Sequence, residues 1–218
     1  VAIAVMVFVW LRRAEADATR IDAPAAVASA FVALAALVVV ANTPLAPTTG
    51  MGIAAALLLA LLAAALNRAA AVAALFASGA ASVLVFLHIG LGGTFEITLF
   101  HETVAIEGTR SVVPAGSARL WSAVLALAFL ATGLWSARRQ AAPSPVRAAW
   151  WSGFAGLVPL AVLTAVWVAF GNLDWDLTHA ALALALTVAL VAGAEWIAAA
   201  ENPVRSGGPS ISALLGGA

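Results

Sequence analysis

The chain has 218 residues, of which 64% are apolar and only 9% are charged. A soluble domain is typically about 45–50% apolar and about 25% charged, so this composition excludes a soluble globular enzyme and a disordered chain. Ten Lys and Arg balance ten Asp and Glu, which excludes a nucleic-acid-binding protein because such a protein needs a basic surface. The composition therefore predicts an integral membrane protein with several spans.

Residue usage adds two expectations. The chain has no cysteine, so disulfide, haem-attachment and thiol chemistry are excluded. All of the cationic residues are arginine and alanine is abundant, a bias that favours a bacterium with a GC-rich genome. The chain begins inside an apolar run and ends in small and apolar residues, so we expect it to be a piece of a longer protein.

The apolar segments have the length of membrane-spanning helices, which need about 20 mostly apolar residues. The predicted spans are 1–11, 23–41, 48–66, 69–89, 120–135, 150–170 and 180–197. The first of these is the tail of a truncated helix. The apolar stretch 48–89 is divided at Asn67 and Arg68, because an arginine at the bilayer centre costs at least about 2.5 kcal/mol. We therefore expect one all-α transmembrane region with about seven helices.

The arginines predict the orientation of these spans. The loops 12–22, 67–68 and 136–149 and the tail after residue 200 carry eight arginines. The loops 42–50, 90–119 and 171–179, on the opposite side, carry only Arg110 and Arg119. Because an excess of Lys and Arg marks the cytoplasmic side, the first group is predicted to be cytoplasmic and the second to face outward from a bacterial inner membrane.

The tryptophans agree with this arrangement, since the indole ring favours the headgroup level. Five lie at predicted inner ends of spans and three at or near outer ends: Trp10, Trp135, Trp150, Trp151 and Trp196, then Trp121, Trp167 and Trp175.

The outward loop 90–119 is the longest polar segment. Its residues 95–99 alternate between apolar and polar, a pattern typical of a half-buried strand, and residues 104–107 are the candidate second strand of a hairpin. A small hairpin on the membrane surface, a re-entrant segment and an amphipathic cap all remain open for this loop.

Histidines and carboxylates on the outward side are the only candidates for catalysis. The weak candidates are His101, Glu102, Asp176 and His179. His101 and Glu102 are not followed by a second histidine at helical distance, so the zinc-protease pattern is missing. Asp174 and Asp176 lie in a segment too short for a calcium loop. The sequence therefore predicts neither a metal site nor a cofactor site.

Mid-span polarity is limited to hydroxyl groups. They belong to Ser78, Ser82, Thr132, Thr164 and Thr187. We expect these hydroxyls to bond their own helix or a neighbouring one. No charged residue lies at mid-span, and Glu195 near the inner end of its span comes closest. This pattern disfavours an ion-coupled transporter, which would place charge inside the membrane.

One span contains helix-perturbing residues. Pro159 is expected to kink its helix, and Gly153 and Gly156 are expected to let a neighbouring helix approach closely. The small residues of the pairs Ser78/Ser82 and Ala189/Gly193 have the same four-residue spacing. Core packing is the interpretation these patterns favour over a broken-helix substrate site.

The order of features between 120 and 200 resembles a known group of bacterial proteins. The segment 135–139 (WSARR) is followed by a proline-rich gap, by AAWWSGFAGLVP at 148–159, and by a span that ends in AEW at 194–196. These features resemble the large multi-spanning proteins classed as domain of unknown function 2339. The resemblance implies a long series of spans but no reaction and no catalytic residues, and it does not extend to the loop 90–119.

Three functions follow as hypotheses. The favoured one is a non-catalytic scaffold or envelope-associated component, whose partners are the lipid bilayer and further transmembrane helices of the same chain. The second is a segment of a transporter or channel for an apolar or lipid-like solute. The third is an outward-facing membrane enzyme that would use the four outward candidates.

Overall fold

The computed structural model describes residues 23–42, 47–68, 71–86, 94–99, 102–107, 115–143, 145–170 and 177–200. Within these ranges the chain forms six α-helices and one pair of strands. In chain order they are α1 (Ala23–Asn42), α2 (Pro47–Arg68), α3 (Ala71–Val85), β1 (Thr94–Leu99), β2 (Glu102–Glu107), α4 (Ala115–Gln140), α5 (Pro145–Phe170) and α6 (Leu177–Ala198). The predicted helical architecture is confirmed, and the truncated first span 1–11 lies outside the described residues.

Four of the helices have the length and composition to cross a membrane. Their apolar segments are Thr49–Leu66, Ser117–Gln140, Val146–Val168 and Leu177–Ala198. Two further segments are apolar but shorter, namely Ala26–Val40 in α1 and Ala73–Val85 in α3. At 1.5 Å per residue a helix of about 18 residues spans about 27 Å, close to the hydrocarbon thickness of about 30 Å.

Helices α4 and α5 are longer than the spans 120–135 and 150–170. Helix α4 begins at Ala115, inside the predicted outward loop, and continues through Arg138 and Arg139. The predicted loop 136–149 narrows to a turn at 141–143, because α5 begins at Pro145. A helix pairs its own backbone groups, so it continues into the polar interface at no backbone cost. Proline fits the first turn because its missing N–H would have had no intrahelical partner there.

The strands β1 and β2 form an antiparallel hairpin in the segment between α3 and α4. The register pairs Thr94 with Glu107 at one end and Leu99 with Glu102 at the other. The structure thus has the hairpin among the three forms considered for this loop.

The six helices share one apolar core. Helices α1, α2 and α3 pack against one another, and α2 and α3 contact the α4–α5 pair. Among the described elements, α6 packs on α4 and α5 alone. Alanine dominates the buried residues, and the largest buried side chains are Trp151, Phe129 and Met51. Small residues allow helix backbones to approach closely, which matters in a membrane because lipid tails provide no hydrophobic drive for helix association.

The mid-span hydroxyls bond their own helices, as predicted. Each one donates to a backbone carbonyl three or four residues earlier: Ser78 to Leu75, Ser82 to Ser78, Thr132 to Ala128, Thr164 to Leu160 and Thr187 to Ala183. Two other serines differ, since the fully buried hydroxyls of Ser29 and Ser122 have no hydrogen-bond partner.

Helices α4 and α5 approach each other closely at Gly133 of α4. A Cβ atom built there would lie 2.8 Å from the Cβ of Ala155 and 2.8 Å from the carbonyl oxygen of Trp151, both on α5. The prediction that Gly153 and Gly156 make a close approach is wrong within the described part of the chain, because a Cβ built on either has no atom within 4 Å. The buried face of α5 instead carries Trp151 and Ala155.

We expect Gly133→Ala to destabilise the bundle. The new methyl group would meet backbone and Cβ atoms that cannot rotate away, and overpacking of this kind typically costs about 1–3 kcal/mol. The measurement is the thermal unfolding midpoint of the purified protein in detergent.

Gly153→Ala on α5 is the matched control, since its methyl group enters open space and alanine favours the helix over glycine by about 1 kcal/mol. Its midpoint should be unchanged or raised. Equal losses in both variants would contradict the backbone contact at Gly133.

Candidate functional site

The four outward candidates are only partly described. His179 lies in the first turn of α6, where its side chain is half-buried and its Nδ1 atom is buried with no hydrogen-bond partner among the described residues. Glu102 begins β2 opposite Leu99. His101 and Asp176 lie outside the described residues. Among the residues that are described, no group of three or more His, Cys, Asp and Glu is placed to hold a metal ion. The outward site therefore stays a prediction.

Two contacts between arginine and tryptophan side chains lie at the opposite end of the bundle, where α4 and α6 end. We call this group the arginine–tryptophan cluster, and it consists of Trp135, Arg138, Arg139 and Trp196. The first three lie in the last turns of α4, and Trp196 lies in the last turn of α6. The cluster thus joins two helix ends that are distant in sequence.

Arg138 connects α4 to α6. Its Nη1 atom donates a hydrogen bond to the backbone carbonyl of Trp196, and its guanidinium carbon lies 4.5 Å from the centroid of the Trp196 ring. The last carbonyls of a helix have no intrahelical partners and carry a partial negative charge. Arg138 therefore satisfies one of these carbonyls and stabilises the end of α6 electrostatically.

Arg139 makes the corresponding contact within α4. Its guanidinium carbon lies 4.6 Å from the centroid of the Trp135 ring. Residues four apart lie on the same helix face, so the spacing of this pair brings the two side chains together. The preceding residue, Arg138, points about 100° away around the helix and so reaches α6 instead.

The tryptophans at this end divide between two environments. Trp135, Trp150 and Trp196 are 45%, 47% and 43% exposed, as an interfacial ring should be, whereas Trp151 is only 1% exposed. The sequence grouped Trp151 with the interfacial rings, whereas the structure buries its ring in the protein core. Its ring packs edge-on against Phe154, with centroids 5.9 Å apart and planes at 81°. One residue of helical rotation separates the exposed Trp150 from the core residue Trp151.

Glu195 precedes Trp196 and is exposed. It lies in the last turn of α6, in agreement with its predicted position near the end of a span. The described residues at this end of the bundle carry four arginines, Arg68, Arg138, Arg139 and Arg147, and this one acidic residue. The formal charge of the described residues at this end is therefore positive.

Sequence reasoning identified the arginines only as a topology signal. The Arg139–Trp135 contact follows from a four-residue spacing and was accessible from the sequence. The Arg138–Trp196 contact joins residues 58 positions apart, so it required the packing of α6 against α4.

Comparison with known proteins gives no relative, because no protein-family model, no curated protein and no solved structure matches the chain. The function of the chain is therefore inferred from its own residues and their contacts.

We expect Arg138→Gln to loosen the end of α6. The variant loses a charged hydrogen-bond donor, typically about 1.5–3 kcal/mol, and a cation–π contact of about 0.5–1 kcal/mol. Amide hydrogen exchange of residues 194–200 should accelerate by about tenfold or more, since 1.4 kcal/mol corresponds to a factor of ten.

Arg139→Gln is the matched control, because Arg139 contacts a ring on its own helix. Its α6 amides should exchange at the rate of the unmodified protein. The same acceleration in both variants would show that loss of any positive charge, and not the contact with Trp196, loosens the helix.

Proposed function

We propose that this chain is a multi-pass scaffold of a bacterial inner membrane. The proposal includes seven spans, with cytoplasmic loops at 12–22, 67–68 and 136–149 and outward loops at 42–50, 90–119 and 171–179. Membership in the group classed as domain of unknown function 2339 is part of the proposal and rests on residues 120–200. The proposed role of the chain is to hold helices and partners together without catalysis.

The outer surface of the bundle supports membrane placement. Large apolar side chains cover it, and among the most exposed are Leu127 on α4 and Leu184 on α6, each 65% exposed. Contiguous apolar surface of this extent is rare on soluble monomers. Lipid acyl chains are the surroundings that such a surface requires.

The hydrogen bonds donated by hydroxyl groups within the spans are the observation that supports the scaffold proposal. The hydroxyls of Ser78, Ser82, Thr132, Thr164 and Thr187 donate to carbonyls of their own helices, so these donors are already used. The buried hydroxyls of Ser29 and Ser122, which have no partner among the described residues, lie near the beginnings of α1 and α4 instead. A polar solute path needs side chains that can offer hydrogen bonds to the solute. The backbone-close packing of α4 on α5 at Gly133 also favours a rigid bundle.

Two alternative functions can be tested separately. A transporter or channel segment for an apolar or lipid-like solute would not need polar donors, so it is tested by flux. An outward-facing enzyme would depend on His101, Glu102, Asp176 and His179, and it requires that the last loop and the hairpin share a side of the membrane.

Cysteine labelling tests the membrane topology. The chain has no native cysteine, so Thr98→Cys, Ser144→Cys and Asn172→Cys each report one position. We expect a membrane-impermeant maleimide to label positions 98 and 172 in intact cells and position 144 only after permeabilisation.

Leu127→Cys is the matched control, since this exposed side chain lies near the middle of α4 and a thiol in hydrocarbon does not form the reactive thiolate. It should stay unlabelled under both conditions. Labelling of 98 and 172 from opposite sides would refute the span count and with it the shared outward face of the enzyme alternative.

Lipid flux separates the scaffold from the lipid-like transporter. Vesicles with fluorescent phospholipid in both leaflets are reconstituted with the protein and then treated with dithionite, which reduces only outer-leaflet label. A scaffold leaves the inner-leaflet label protected, as in protein-free vesicles, while a pore-forming peptide serves as the positive control. Loss of protection that scales with protein content would overturn the scaffold and favour the transporter.

A further inference from the structure

Two guanidinium groups lie against indole rings where α4 ends. Arg138 lies over Trp196 at 4.5 Å and Arg139 over Trp135 at 4.6 Å. A guanidinium that stacks through its face keeps its N–H donors at the edge of its plane. Arg138 uses one of its five donors on the Trp196 carbonyl. Stacking therefore fixes both groups while most of their donors remain available for a ligand.

The charges around these two groups favour an anion. Within the part of the chain that the structure describes, neither Arg138 nor Arg139 forms an ion pair with a carboxylate. Arg147 lies just across the 141–143 turn and adds positive charge, and Glu195 is the one acidic residue at this end among those that the structure describes. An arginine near a membrane surface attracts anionic lipid by about 1 kcal/mol.

The surroundings select the kind of anion. Trp135 and Trp196 are partly exposed rings of the type that settle at the headgroup level. Toward the middle of α6, eight and five residues before Trp196, the apolar side chains of Val188 and Val191 are exposed. A ligand with a phosphate at the arginines and acyl chains along these side chains matches both features, whereas free phosphate matches only the first.

We infer that the arginine–tryptophan cluster binds the phosphodiester headgroup of an anionic phospholipid. The N–H donors of Arg139 and the donors of Arg138 that the Trp196 carbonyl does not use are available to phosphate oxygens, which guanidinium groups bind through charge-assisted hydrogen bonds. The exposed side of α6 accommodates an acyl chain. This inference rests on the proposed membrane placement, and it goes beyond it by assigning a ligand class to one place on the surface.

Tryptophan quenching by brominated lipids tests the inference. The whole chain is reconstituted into phosphatidylcholine vesicles that contain an equal mole fraction of either brominated phosphatidylglycerol or brominated phosphatidylcholine. We expect stronger quenching by the anionic lipid. Arg139→Gln should reduce that preference by about fivefold, the equivalent of about 1 kcal/mol for one cation near the surface.

Two variants separate binding from structural effects. Arg139→Gln keeps the Arg138 contact that holds α6, so its loss of preference is not a loss of helix docking. Arg119→Gln, near the opposite end of α4, removes the same charge elsewhere and should keep the full preference. Arg139→Lys should recover part of the preference, because it restores the charge without the planar donor edge.

Each outcome has a distinct meaning. Equal quenching of the unmodified protein by the two brominated lipids would overturn the headgroup site, as would an equal loss in the Arg119 and Arg139 variants. Absence of quenching by both lipids would refute membrane placement itself. If inorganic phosphate at millimolar concentration abolished the preference for the anionic lipid, the cluster would be a phosphate site and the lipid assignment would be wrong.

Discussion

The contact of α4 with α5 at Gly133 is the constraint on which the bundle depends. Inside a membrane, burial of one apolar side chain against another gains little over burial against lipid, so stability must come from shape. At Gly133 the α4 backbone approaches atoms of Trp151 and Ala155 so closely that even one methyl group would collide. This approach fixes how α5 lies on α4, and the short turn at 141–143 then needs only to join two helix ends that are already adjacent. The large buried rings of Phe129 and Trp151 fill the space beside this contact.

Hydropathy predicted the helices well because a membrane requires long apolar segments and leaves few alternatives for the backbone. It could not predict which side of a helix meets another helix. Gly153 and Gly156 have the same small size as Gly133 but face open space, and Trp151 differs from Trp150 by one step of rotation yet lies in the core. In so apolar a chain every face resembles a packing face, so the sequence lacks the polar stripe that marks the outside of a soluble helix.

The outward candidates illustrate a different limit. His179 and Glu102 belong to separate elements, α6 and β2, and only tertiary structure can bring such residues together. The alternation of loops predicts that these two residues lie on the same side of the membrane. It does not predict that their side chains converge on one reacting atom. For the same reason, only one of the two contacts in the arginine–tryptophan cluster could be predicted from the sequence. The contact between Arg139 and Trp135 needs one helix, whereas that between Arg138 and Trp196 needs two.

Helix α6 is held unevenly along its length, and this links packing to the proposed role. The residues that it buries, Leu190, Gly193, Ala194 and Ile197, all lie in its second half. There Gly193 admits the side chain of Leu134, and Arg138 holds the last turn through the Trp196 carbonyl. Before Leu190 no residue of α6 is buried within the described part of the chain. The second half of α6 packs against the bundle, so its first half is available for contact with lipid or with further helices.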